Sequence, residues 1–190
     1  MRTELADTLN RILAGLERLE TRSDMKALRP GLSSREIGEL LRSVELPVDP
    51  ELVALYSWRN GTDTTGRKMG EIDIFPGFYF VSLQDAVINY RTFVGDARWQ
   101  PGWLPVFANG GGDFYVVDLQ QAHGPVRHFR IDESVHPIEF GSVGAMLETW
   151  AAGFERGVFY ADPDGYLEFD DAQFAALAAE LNPDIPWWTD

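Results

Sequence analysis

The chain has 190 residues, enough for one domain burying about 70% of its unfolded surface, and its 45% hydrophobic and 24% charged residues are ordinary for a soluble globular protein. It contains no cysteine, which excludes a disulfide scaffold, a thiolate metal site and a cysteine nucleophile. The net charge of −14 is uneven: residues 1–131 hold 17 acidic and 15 basic groups, whereas residues 132–190 hold 13 acidic groups and one basic residue, Arg156. That end would repel a polyanion and steer in a basic partner.

Leu5, Leu9, Ile12, Leu13, Leu16 and Leu19 recur at helical spacing and predict an N-terminal amphipathic helix. It lacks the apolar core and cleavage site of a signal peptide, and no run approaches the ~18 apolar residues of a membrane span, so a cytoplasmic location is expected. After Pro30-Gly31, Ser33 with Glu36 forms a capping box that opens a helix through Ile37, Leu40 and Leu41. Asp49 caps the next helix, with Pro50 at its first position and Leu52, Val53, Leu55 and Tyr56 on its apolar face. Asn60-Gly61 is expected to end that helix, since glycine tolerates the left-handed conformation just past a helix.

Ile72 and Ile74 alternate with Phe78 and Phe80 about Pro76-Gly77, and Ser82 with Asp85 starts a further helix. A strand is expected around Leu104–Ala108, then the turn Asn109-Gly110-Gly111-Gly112-Asp113, a strand over Phe114–Leu119, and a third after Gly124-Pro125. Ser142 opens a helix with Met146, Leu147, Trp150 and Phe154 on one face; a short acidic hairpin, a terminal helix and a tail with Trp187-Trp188 follow. The order of helices, strands and helices argues for a single α+β domain with one mainly antiparallel sheet surrounded by helices.

The candidate chemistries are weak. No Lys-Ser/Thr follows the glycine run, and a strand rather than a helix comes next, so neither phosphate-binding fingerprint fits and the run reads as a turn. Asp162-x-Asp164-Gly165 has its glycine too early for a calcium loop and reads as a hairpin turn. His123, His128 and His136 lack metal-ligand spacing, and no G-x-S-x-G elbow is present. Acidic residues are too many for their presence to indicate glycosidase chemistry. Trp150 is expected in the core, and Trp187-Trp188 is expected to dock the tail onto the body.

Taken in order, the motifs resemble the SUKH superfamily of Smi/Knr-type fungal cell-wall regulators and bacterial immunity proteins. Leu46-Pro47, the helical run Leu52 to Tyr56 and the closing Asn60-Gly61 match its opening helix; Trp103, Pro105, Gly112, Asp113 and Asp118 its central strands; Gly153 and Gly165 its closing helix and glycine-rich end. The resemblance divides the chain into an N-terminal helix (1–24), a SUKH-like domain (25–170) and a C-terminal helix and tail (171–190). It implies a SUKH-like fold and a binding module without enzymatic activity, cofactor or metal. An immunity protein that neutralises a basic bacterial toxin, such as a nuclease, by direct contact is the reading the charge favours. A cell-wall-type regulatory or scaffolding domain without a toxin partner is the alternative. The partner is then a protein, a polymorphic toxin domain, and not nucleic acid or membrane. The residues expected to meet it are Asp162, Asp164, Glu168, Asp170 and Asp171 as steering charges, with Tyr166 as anchor. A rival surface is the loop carrying Asp63, Glu71 and Asp73.

Overall fold

The computed structural model describes the backbone of residues 2–189 and side chains of residues 4–189. The N-terminal stripe forms α1 (Arg2–Arg18), with Leu5, Leu9, Ile12 and Leu16 all buried. After a short 3-10 turn come β1 (Leu28–Pro30), α2 (Ser34–Arg42) and α3 (Pro50–Trp58). The capping box opens α2 as expected: the Ser33 amide donates to Glu36 Oε2 (2.8 Å) and the Glu36 amide to Ser33 Oγ (3.3 Å). At α3, Asp49 Oδ1 accepts from the Glu51 and Leu52 amides (2.8 and 3.0 Å), with Pro50 in the first turn where no amide proton is required.

The expectation for Asn60-Gly61 needs correction. The helix already gives way at Arg59 to a strand, β2 (Arg59–Thr62), which pairs antiparallel with β1. Gly61 has φ +70° inside that strand, and a Cβ there would stand 2.2 Å from the Ser82 amide nitrogen. Glycine is required because backbone passes against backbone, not because a helix stops. Buried Asn60 completes the junction by accepting from the Leu83 amide (2.9 Å) and donating to Gln84 Oε1 (2.8 Å).

The main sheet follows: β3 (Asp73–Phe75), β4 (Phe78–Phe80), then across α4 (Leu83–Phe93) β5 (Trp103–Ala108), β6 (Phe114–Asp118), β7 (Val126–Phe129) and β8 (Ile138–Phe140). These six strands pair consecutively, each antiparallel to the next. The glycine run is the β5–β6 turn, with Gly110 at φ +75° and Gly112 at φ +109°; Asn109 Oδ1 accepts from the Gly111 and Asp113 amides. The remaining elements are α5 (Val143–Glu155), the hairpin of β9 (Phe159–Ala161) and β10 (Leu167–Phe169), α6 (Asp171–Leu181) and the short α7 (Pro186–Thr189).

Every residue of β5 and β6 is buried, so the sheet is covered on both faces. On one, Phe93 of α4 meets Trp99, Phe114 and Phe129. On the other, Phe75, Phe107 and Tyr115 surround Trp150 of α5, with ring centroids 4.5, 4.8 and 5.7 Å away. Helix α1 lies against α5 so closely that a Cβ at Gly15 would be 2.5 Å from the Phe154 ring. Arg11 clamps the pair by reaching Glu148 (2.8 Å) and Glu155 (2.7 Å). The tail docks as expected: the Trp188 ring sits 5.8 Å from both Phe140 and Phe174.

Two expected outcomes follow from this packing. Gly61→Ala should lower stability by more than about 3 kcal/mol or abolish folding, because a strained φ combines with a backbone clash; urea unfolding measures it. The Tyr56 hydroxyl is fully buried with no hydrogen-bond partner among the described residues. Tyr56→Phe should therefore be neutral or raise stability by about 1 kcal/mol, and a large loss would reveal a partner for the hydroxyl.

Candidate functional site

The two acidic regions that the sequence offers as rivals lie side by side. In the β9–β10 hairpin, Asp162 Oδ1 accepts from the amides of Asp164 (2.9 Å) and Tyr166 (2.8 Å), and Gly165 takes φ +86°. This is the expected turn, tightened by an aspartate that mimics backbone. The segment after α1 joins it to the 63–73 loop: the Arg22 amide donates to the Gly165 carbonyl (2.8 Å) and the Asp24 amide to the Glu71 carbonyl (2.8 Å). The Arg22 guanidinium donates to the Asp164 carbonyl and stands 5.1 Å from the centre of the Tyr166 ring. Gly70 abuts that ring, where a Cβ would be 2.8 Å from it.

Adjacency does not make every acid available. Asp73 is only 5% exposed and so is not a surface steering charge; it accepts from the Gly70 amide (3.4 Å) at the start of β3. Burial raises its pKa, and neighbouring Glu168 raises it further. Asp63 is held by Arg29 (3.4 Å) and Arg67 (3.6 Å), and Arg67 also reaches Asp24 (3.3 Å). Hydrogen bonds from Thr65, with Arg29 adding to them, keep Asp63 below its ordinary pKa. Glu71 is half-buried and accepts from the Lys68 amide. Asp162 serves its turn, and Asp170 caps α6 by accepting from the Gln173 amide (2.8 Å). Tyr166 is half-buried between Arg22 and Gly70 and is not a free anchor. The exposed aromatic of the hairpin is Tyr160, 47% accessible and paired across the strands with Glu168. Asp164, Glu168 and Asp171 remain exposed, and none forms an ion pair with a described cation.

A second feature was not expected. Strands β7 and β8 pair Arg127 with Ile138 but Val126 with Phe140, which leaves Glu139 as an extra residue. Such a bulge re-aims a side chain. Here it turns a carboxylate that is 2% exposed toward His128 Nδ1 and Arg130 Nη2, each 3.3 Å from Glu139 Oε1. Tyr115 stacks on His128 at 4.6 Å, and burial and Glu139 together raise its phenol well above the usual range. With Nδ1 facing Glu139, His128 Nε2 is buried without a partner among the described residues. The group lines a cavity of about 230 Å³ walled by Phe75, Phe78, Phe174 and Trp188, with Asp171 on its lining. The Trp188 indole donates to the Glu139 carbonyl, and Arg130 lies 5.5 Å from the centre of the Trp187 ring.

The SMI1/KNR4 family (SUKH-1) pattern matches residues 31–151. The chain belongs to this family. A comparison with curated proteins finds no match. In this SUKH-1 protein the family-motif residues are mostly structural. Leu46 and Tyr56 are core, and Pro47 is an exposed residue between α2 and α3. Trp103, with Arg127 over its ring, and Pro105 lie in β5. Asp113 ties the glycine turn to the Ile131 amide (2.8 Å), while Gly112 packs against the Ile131 side chain. Asp118, buried at the end of β6, accepts from Arg127 (3.1 Å) and Gln121 (2.6 Å). Gly153 lets the Phe159 ring approach α5, where a Cβ would be 2.6 Å away. The β9–β10 hairpin, α6 and α7 lie beyond the matched residues.

Asp73 yields a pH test. A carboxyl whose folded pKa is raised binds its proton more tightly in the folded state, so stability falls as pH rises from the ordinary carboxylate range through the raised value. Asp73→Asn should flatten that part of the stability–pH curve and gain relative to the parent at neutral pH. Glu168→Gln should move the step to lower pH. Urea unfolding from pH 4 to 8 checks both, and an unchanged slope in Asp73→Asn would remove Asp73 from the account.

Proposed function

We propose that this SUKH-1 protein is a non-enzymatic, cofactor-free binding protein of the immunity type, which acts in the cytoplasm by occluding a basic toxin domain. The observation that carries this reading is that Asp164, Glu168 and Asp171 are exposed and form no ion pair with a described cation, with exposed Tyr160 opposite Glu168 in the hairpin, within a 59-residue end that holds a single basic residue. A nuclease that must hold phosphates presents clustered cations, and an acidic surface complements them. Exposed charges of this kind act mainly on encounter: they raise the association rate and are screened by salt. Lasting affinity needs a desolvated anchor among them, and Tyr160 supplies an exposed aromatic in that position.

Co-expression with a basic toxin domain encoded by an adjacent gene should restore growth, and no such rescue would count against the reading. The double variant Asp164→Lys, Glu168→Lys should slow association about 10- to 100-fold at low ionic strength with little change in dissociation. Stopped-flow mixing across a salt series measures this. A salt-independent association rate, or a native partner that proves to be cell-wall-synthesis machinery, would overturn the reading.

A further inference from the structure

The bulge at Glu139 creates a site of a kind that the acidic edge is not. Its carboxylate is 2% exposed, yet it lines a cavity that opens beside Trp187, itself 46% exposed. A volume of about 230 Å³ is below the ~300 Å³ at which small-molecule sites begin and suits one inserted side chain. Aromatic rings form most of the wall, and two carboxylates, Glu139 and Asp171, face one cation, Arg130.

From this geometry we infer that the cavity receives the side chain of a lysine or arginine from a protein partner. The inference rests on the binding-protein reading and names the residue type that would anchor it. Ring faces attract a cation, and the attraction grows as water is excluded. The carboxylates supply the counter-charge. An anionic or purely apolar occupant would gain from neither. Arg130 already shows the arrangement in miniature, its guanidinium over Trp187 at 5.5 Å and reaching Glu139 Oε1 at 3.3 Å. That contact is longer than the ~2.8 Å usual for a charge-assisted pair, so a better-placed cation can displace it.

The probes are Nα-acetyl-arginine amide and Nα-acetyl-lysine amide, with the norleucine and glutamate analogues as apolar and anionic controls. They are titrated into the full-length protein while the indole N–H signals of Trp187 and Trp188 are followed by NMR. The cationic probes should shift both signals saturably in the millimolar range, and the norleucine and glutamate analogues should not. Glu139→Gln should weaken cation binding about tenfold, and Arg130→Gln should strengthen it by removing the internal competitor. Trp187→Ala, a change at an exposed position that leaves the core intact, should also weaken it. Equal binding of norleucine, preferential binding of glutamate through Arg130, or no shift with any probe would each overturn the inference. Should Glu139→Gln and Trp187→Ala neutralise the toxin as the parent does, the cavity is not the anchor while the binding-protein reading stands. If the cationic probes bind but no basic protein partner exists, that reading falls instead.

Discussion

The sheet has no solvent face along its two central strands, and the rest of the molecule answers to that. With all of β5 and β6 buried, helices must close over both sides, and the rings of Trp150 and Trp99 fill the two layers. The same constraint decides what happens to polar groups in the strands. A carboxylate in a covered sheet must find donors or be protonated. Asp118 is satisfied by Arg127 and Gln121, Asp73 takes amides and shifts its pKa upward, and Glu139 is turned by a bulge toward His128 and Arg130. Three buried acids thus have three different resolutions, and only the last is set into the wall of a cavity.

The covering helices also explain why sequence order is a poor guide to what shares a surface. Helix α1 packs on α5 through the Gly15–Phe154 approach and the Arg11 clamp. The segment leaving it is thereby brought between the acidic hairpin and the 63–73 loop, where Arg22 and Asp24 bond to one each. Two stretches about 100 residues apart become one edge through a linker that belongs to neither. The family match begins at residue 31, after this linker, so the edge is assembled partly from chain outside the matched region.

Much of this was legible from residues whose physics is local. The capping box at Ser33, the caps at Asp49 and Ser142, the β5–β6 glycine turn and the Asp162 hairpin all stand where short-range hydrogen bonding demands. What failed depends on approach between distant segments. Gly61 reads as a helix stop because nothing nearby in sequence reveals that the backbone of Ser82 lies against it. Strand β8 is three residues long and bulged, so it carries no alternation to detect, and the role of Glu139 was hidden with it. The sequence points to Tyr166 as the anchor; only the positions of Arg22 and Gly70 show that it is held in the turn while Tyr160 is exposed.

Charge segregation takes a sharper form once pairing is counted. The cations at hand are spent on acids that hold the fold: Arg11 on Glu148 and Glu155, Arg156 on Glu180, Arg130 on Glu139. Arg22 at the hairpin tip goes to a carbonyl and a ring rather than a carboxylate, so it orients the hairpin and offsets part of the local negative charge without a direct ion pair. An exposed ion pair is worth little, so leaving those acids unpaired costs the fold almost nothing. Their net negative charge sits beside a turn fixed by Arg22, the arrangement that the proposed steering of a basic partner would use.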